Sequence, residues 1–329
     1  INFNISKIMI LSKTPLRISF SGGGSDYFNH NSEIPGRVIV TTINKYMYVC
    51  LNKKYNNDIR AAYSVTENVL NINKLKHSII RESLKYHKIY NGVEVSTLAD
   101  IPSSGSGLAS SSALSVGLVH AIRKFKKLKI SKKIIANDAC DIEIKKCKKP
   151  IGMQDQYSTA YGGLNKIEFF NNKLIRVKKI NISSDKLKIF NDSLMLFYTG
   201  INRQAHHILN KIKKSGNQFL NHDKLSYLAL NFEKELIHGN IDNCGVILHE
   251  GWMLKKNLNS AVSSSKLNDI YDTALRSGSK GGKILGAGGG GYFLFVVPKN
   301  KQKKVKKALH KLECINFKFT KNGSKVYSF

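Results

Sequence analysis

The stretch Pro102-Ser-Ser-Gly-Ser-Gly-Leu-Ala-Ser-Ser-Ser-Ala113 constrains this chain more than any other. Two glycines sit in a serine-rich turn that runs straight into Ala113-Leu-Ser-Val-Gly-Leu-Val-His-Ala-Ile122, a helical pattern. Glycines let a backbone approach a ligand closely, and serines at the turn can cap the helix. A helix N-terminus offers free N–H groups and the positive end of a dipole, which together make a phosphate cradle. Taken alone, the stretch reads equally well as a plain serine-rich N-cap. No Gly-x-x-x-x-Gly-Lys-Ser/Thr occurs, so this is not a Walker-type loop. Gly286-Ala-Gly-Gly-Gly-Gly291 matches Gly-x-Gly-x-x-Gly literally, but it runs into the apolar run Tyr292–Val297 rather than a helix. That is the wrong context for a dinucleotide fold. His249-Glu250 lacks the second histidine of a zinc-protease helix.

A chain of 329 residues allows two ordinary domains. Ser183-Ser-Asp-Lys186 is polar and unpatterned, so the boundary is placed there, giving 1–185 and 186–329. No apolar run approaches the ~18 residues of a membrane span, and no signal peptide is visible. Met9 is a candidate natural start, with Ile1 to Ile8 upstream. The cysteines Cys50, Cys140, Cys147, Cys244 and Cys314 form neither a disulfide framework nor a zinc spacing, which points to reduced thiols and a cytoplasmic home. The formal net charge of +31 would ordinarily suggest nucleic acid or an anionic surface. Here lysine, asparagine and isoleucine are enriched together, as an AT-rich genome produces. The lysines spread through runs at 124–133, 145–149 and 299–311, with no RNA-binding signature beside them. They read as solvated surface, with a further anion-binding role as the alternative.

Strands are predicted over Ser12–Phe20, Val38–Ile43, Lys45–Leu51, Ile59–Tyr63, Gly92–Leu98, Leu164–Phe170, Lys173–Val177, Leu194–Thr199 and Tyr292–Val297, with a closing strand near Phe317 or Val326. Helices are predicted over Ser78–Tyr90, from the serine run to Arg123, Ser131–Cys147 with Ser131 as cap, Gln204–Lys214, Lys224–Gly239, Ile241–Asn257, Leu267–Ser277 and Lys301–Leu312. Pro150–Gln156 reads as a loop before a short helical start to Tyr161.

Three stretches stand in order: Pro15-Leu-Arg-Ile-Ser-Phe-Ser-Gly-Gly-Gly-Ser-Asp26, Pro102–Ala113 and Leu285-Gly-Ala-Gly-Gly-Gly-Gly-Tyr292. In order and separation they resemble the three signature motifs of the GHMP kinases, and the resemblance spans almost the whole chain. The first motif has Gly22-Gly-Gly24 where a galactokinase-like chain would carry Gly-Glu-His, so galactose is not the implied substrate. Gly152-Met-Gln-Asp-Gln-Tyr157, Tyr198-Thr-Gly-Ile-Asn-Arg203 and Leu248-His-Glu-Gly-Trp-Met-Leu-Lys255 make the chain similar to the sugar 1-kinases of that superfamily, in particular those acting on D-glycero-D-manno-heptose 7-phosphate. The resemblance implies an α+β fold. Its N-terminal domain would be like ribosomal protein S5 domain 2 and its C-terminal domain ferredoxin-like, with ATP in the cleft between them. The implied reaction transfers phosphoryl from ATP to the anomeric hydroxyl, with Mg²⁺, toward nucleotide-activated heptose for surface polysaccharide. The implied partners are ATP and a small sugar phosphate, with no nucleic acid and no membrane, and a homodimer is compatible. Three alternatives stay open: a kinase of fucose-like or unphosphorylated sugars, a basic nucleic-acid-binding protein, and a catalytically silent sensor.

The same resemblance assigns residues. Asp155 would be the catalytic base, and Arg17 would lie near the transferred phosphate, giving it a fixed fork of donors. Ser103, Ser104, Gly105, Ser106, Gly107, Leu108, Ala109, Ser110, Ser111 and Ser112 would wrap the ATP phosphates. Glu143, twelve residues before Asp155, would hold Mg²⁺ with Ser111; Ser110 and Ser112 stay in play because the serine triplet blurs the register. Gly24, Ser25 and Asp26 would meet the sugar, and Gly288 and Gly289 would shape the substrate side. Arg203, Lys255 and Lys256 are candidates for the substrate's own phosphate, the last on one helical face with His249 and Trp252. The plainer readings are a helix cap for Asp155 and for Asp26, a surface ion pair for Glu143, an edge-strand salt bridge for Arg17, close packing for the glycines and core packing for Trp252.

Overall fold

The computed structural model describes residues 9–27, 32–101, 105–201, 205–214 and 220–329. The segment 1–8, Ser103, Ser104 and Arg203 lie outside these. The chain begins with β1 (Met9–Ser21), paired antiparallel with β2 (Gly36–Lys53). Pro15 has no N–H to give the ladder, and the β1–β2 register shifts between Pro15 and Arg17. β2 is one strand of 18 residues, not two. Asn44, where a break is expected, instead receives the far end of the chain: its N–H donates to Lys318 O (2.9 Å) and its side-chain oxygen takes the Lys318 N–H (2.7 Å).

β3 (Ile59–Ala62), β4 (Thr66–Val69), α1 (Ser78–Tyr86) and β5 (Val93–Ala99) follow. Then come α2 (Ser110–Phe125), α3 (Lys132–Cys140) with its Ser131 cap, and α4 (Gln154–Tyr161). The predicted helix through Cys147 leaves α-geometry at Asp141 and continues as a π-helical turn, Asp141–Lys146. β6 (Asn165–Phe169) and β7 (Ile175–Lys179), both predicted as strands, pair as an antiparallel hairpin. The polar stretch at Ser183 caps a helix, α5 (Ser184–Asp192), because the Ser183 hydroxyl accepts the Lys186 N–H.

The second half holds β8 (Leu194–Tyr198), α6 (Ala205–Lys214), α7 (His222–His238), α8 (Ile241–Lys256), α9 (Ser265–Arg276), β9 (Gly281–Ile284), β10 (Tyr292–Val296) and α10 (Gln302–Ala308). β11 (Glu313–Ile315), β12 (Phe319–Thr320) and β13 (Lys325–Ser328) close the chain, so both proposed closing strands exist. The larger sheet runs β13-β1-β2-β5-β3-β4, with β6, β7 and β12 branching from it. The smaller is antiparallel, β11-β8-β10-β9, as a ferredoxin-like half requires.

Side-chain alternation explains how the layers stack. On β2, Val38 and Val40 join the core beneath α2, α3 and α4, whereas Ile39 joins the core shared with α7. On β10, Tyr292, Leu294 and Val296 enter that shared core, while Phe293 and Phe295 pack with Trp252 and Tyr271. An uninterrupted apolar strand is what burial on both faces demands. Trp252, fully buried, is core rather than a sugar platform.

Candidate active site

A cavity of about 660 Å³ opens where the β1 bulge, the N-termini of α2 and α4, and the C-terminal end of α8 converge. At the bulge the Arg17 N–H leaves β2 and donates to Leu108 O (3.1 Å). The Arg17 guanidinium, almost wholly buried, donates through Nη1 to Gly107 O (2.6 Å). Its Nε and Nη2 both reach one oxygen of Asp155, Oδ1, at 2.9 and 2.6 Å. Asp155 Oδ2 therefore takes no hydrogen bond from the described residues. Asp155 is not in a loop: it occupies the first turn of α4, whose dipole favours a carboxylate.

Asp26 reaches the same point from the loop that follows β1. Its Oδ2 accepts the Gln154 N–H (3.3 Å), its Oδ1 the Gly24 N–H (3.1 Å), and its carbonyl the Met153 N–H (3.1 Å). So Asp26 does cap a helix, but it is α4, remote in sequence. A side chain at Gly152 would put Cβ 2.0 Å from Asp26 Oδ2, so only glycine lets these segments meet. Ser19 Oγ fixes the Gln154 side chain at 2.8 Å.

Glu143 is fully buried and Asp155 half-buried at the cavity, and the two carboxylates have opposite electrostatics. Burial pushes the Asp155 pKa up, and the Arg17 charge does not cancel it; neighbouring Asp26 adds to the rise. Burial also pushes Glu143 up, but Lys149 and the hydrogen bonds to its carboxylate win, and its pKa falls. Glu143 Oε1 takes Ser111 Oγ (2.6 Å) and Lys149 Nζ (2.9 Å), and Oε2 takes Gln156 Nε2 (2.7 Å). Lys149 Nζ also donates to Ser111 Oγ at 2.6 Å. The π-turn carries Glu143, and such turns are frequent at functional sites. This donor set fits Mg²⁺, which takes one or two protein oxygens and keeps the rest for waters and phosphate. A lysine cation, Lys149, already sits on Ser111 Oγ and Glu143 Oε1. No cluster of three His, Cys, Asp or Glu ligands occurs among the described residues.

The cap of α2 is Ala109 rather than a serine: it is left-handed (φ +63°) and has no side-chain oxygen to offer the first turn. The serines turn elsewhere, Ser111 to Glu143 and Ser110 to Ser106 Oγ (2.8 Å). Gly105, Ser106, Gly107, Ala109, Ser110, Ser111 and Ser112 line the cavity. Leu108 does not, because its side chain enters the core. Gly107 (φ +74°) lies against the third glycine stretch, where an added Cβ would stand 2.2 Å from Leu285 O.

The substrate-side residues divide. Gly24, Asp26 and Lys255 line the cavity. Ser25 does not: it is buried, bonding Gly22 O (2.8 Å) and Arg37 O (3.0 Å), and ties the first glycine turn to β2. Gly288 and Gly289 pack on Val262, with the Gly289 N–H on its carbonyl at 2.6 Å, and Gly286 and Ala287 face the cavity instead. Lys256 does not line the cavity; the neighbouring position, Lys255, points in. His249 bonds Tyr271 Oη (2.8 Å), so its helical face belongs to the core. Lys149, Lys283, Gln154 and Gln156 are the residues sequence reading missed. Lys149 ends a run taken as solvated, although Lys283 did carry a signal, being one charge inside the apolar stretch Gly281–Leu285.

Two family profiles match this chain: "GHMP kinases N terminal domain" over residues 72–163 and "GHMP kinases C terminal" over residues 232–315. Over 335 aligned residues the chain is 31% identical to D-glycero-alpha-D-manno-heptose 7-phosphate kinase of Campylobacter jejuni, covering 97% of this chain and 98% of that protein. The chain belongs to the GHMP kinases. This GHMP kinase is also similar to a crystal structure of a D-glycero-D-manno-heptose 1-phosphate kinase from Bacteroides thetaiotaomicron, with TM-score 0.78, 26% identity and coverage of 97% and 98%. A third relative is L-fucokinase/L-fucose-1-P guanylyltransferase of Bacteroides fragilis, 31% identical over 65% of this chain and 23% of its own length. The chain is a sugar kinase of this family and an ATP-dependent phosphotransferase. None of its described helices is long and apolar enough to cross a membrane.

Proposed function

We propose that this GHMP kinase transfers the γ-phosphoryl of ATP to the C1 hydroxyl of D-glycero-D-manno-heptose 7-phosphate, giving the 1,7-bisphosphate, in the cytoplasm. The observation that carries the chemistry is Asp155: one oxygen is held by Arg17, and the other takes no hydrogen bond from the described residues and lies beside the cavity. The substrate assignment draws on the 31% identity across nearly the whole of both chains.

In this reading the acceptor hydroxyl lies against Asp155 Oδ2. Its oxygen forms the new P–O bond, the bond from the γ-phosphorus to the β-bridging oxygen breaks, and ADP leaves. The hydroxyl proton goes to Asp155. The raised pKa of Asp155 makes it a better proton acceptor than an ordinary aspartate, and an anomeric hydroxyl is more acidic than a simple alcohol. Arg17 and the uncapped N-terminus of α2 face the phosphates, and Asp26 orients the sugar. Ser111 and Glu143 would hold Mg²⁺, which supplies charge neutralisation on the ATP phosphates.

Purified protein is assayed for ATP consumption against heptose 7-phosphate, heptose, fucose and galactose. Turnover confined to heptose 7-phosphate is expected. Preference for a bare sugar overturns the substrate. Preference for fucose would favour the second reading, a fucose-type 1-kinase, which the fucokinase relative supports.

A further inference from the structure

Two lysines that line the cavity, Lys283 buried and Lys255 half-buried, have no part in the chemistry above. Lys283 projects from β9 and is 8% exposed. Among the described residues its Nζ has one hydrogen-bond acceptor, Phe20 O, at 2.9 Å. Lys255, in the last turn of α8, has one as well, Gly286 O. An ammonium group carries three donors, so each lysine keeps two for a ligand. Both line the cavity, and they come from elements of the second half of the chain.

The charge around them does not balance. Arg17, Lys255 and Lys283 lie within electrostatic reach of one another, and the carboxylates that reach them are Asp26 and Asp155. Arg17 already spends two donors on Asp155, and Asp26 accepts backbone N–H groups. Burial drives the Lys283 pKa well below its ordinary value, and Lys255 is pushed down to about 8. Two like charges taken out of water are costly unless an anion joins them.

We propose that Lys255 and Lys283 form the site for the acceptor's own phosphate group, with Lys283 a specificity-determining residue; this rests on the reading of the acceptor as a sugar phosphate. The transferred phosphoryl has its cations in Arg17, Lys149 and the α2 N-terminus. A second phosphate in the same cavity needs its own, and the pair supplies them. Lys283 is held on Phe20 O, at the end of β1 that leads into the Gly22–Gly24 turn and Asp26, the sugar side in this reading. A phosphate at the far end of a sugar would sit there.

The test uses Lys283→Met, which keeps the length of the side chain and suits a buried site. The ratio of kcat/KM for heptose 7-phosphate to that for bare heptose falls about 100-fold, through KM for the phosphorylated acceptor, as loss of a buried charged hydrogen bond predicts. A parallel fall in kcat for both acceptors would put the lysine on the transferred phosphoryl and overturn the proposal. So would an unchanged ratio. A second arm needs no turnover: inorganic phosphate raises the melting temperature of nucleotide-free wild type, and Lys283→Met and Lys255→Met each lose most of that shift. A shift kept in both variants overturns the anion site. A wild type silent toward heptose 7-phosphate, with the phosphate shift lost in both variants, would sink the substrate reading and leave the anion site standing.

Discussion

At the scale of single residues the site depends on one asymmetry. Among the described residues Glu143 accepts three side-chain donors across both oxygens, while the Asp155 carboxylate accepts only Arg17, and only on Oδ1. The first arrangement stabilises a permanent anion, and the second leaves a base with an open lone pair. Asp155→Asn keeps the shape and removes the base. It is expected to lower kcat by about 1000-fold or more in a coupled ATP assay, with the melting temperature close to wild type. In the wild-type enzyme the raised pKa means that the carboxylate is protonated sooner on acidification. The acid limb of kcat/KM should therefore centre above 3.8, the ordinary aspartate value. A limb at or below that value would separate Asp155 from the proton transfer.

At the scale of elements, the contact between the second and third glycine stretches joins the two halves of the site. Gly107 and Gly200 compare well, since both have positive φ, +74° and +69°. Among the described residues nothing lies within 4 Å of a Cβ added at Gly200, whereas at Gly107 the backbone of Leu285 and Gly286 is in the way. Gly200→Ala is expected to cost about 1–2 kcal/mol in urea unfolding, the left-handed penalty alone. Gly107→Ala adds displacement of the Leu285–Gly286 backbone. It should cost clearly more, and it should raise KM for ATP, because the loop it moves carries the α2 N-terminus. Equal costs at the two positions would mean that the contact yields freely.

At the scale of the whole molecule, the last strands return to the first sheet and lock it. Ser324, just before β13, bonds Thr14 Oγ1 on β1 (2.9 Å) and His120 Nδ1 on α2 (3.0 Å). Burial, with a smaller contribution from Lys124, holds the His120 pKa down to about 4, against 6.5 in an unfolded chain. Between these values the unfolded state binds the extra proton, so stability is full above pH 6.5 and drains as pH falls toward 4. The loss reaches about 3 kcal/mol. Urea unfolding at pH 7 and pH 4.5 should show it in wild type and show a flatter response in His120→Leu. An equal response in both would assign the acid lability to other groups.

Much of this protein was legible in the order of its residues. The three glycine stretches, the paired acids Glu143 and Asp155, and the apolar run of β10 are local patterns. A turn that needs positive φ, or a strand buried on both faces, restricts which residues can stand there. The family, the fold and most strands followed from such patterns. What the tertiary structure decided concerns side chains whose partners are distant in the chain. Asp26 caps a helix 128 residues away, and Ser25 serves the scaffold rather than the sugar. Gly288 and Gly289 pack on Val262, and α2 ends without a serine cap. Lysine composition reads the same whether a side chain is solvated or enclosed. Only the packing of β9 and α8 against β1 and the glycine loops separates Lys283 and Lys255 from the surface lysines, because burial belongs to the assembled layers and leaves no periodic mark on a single charged residue.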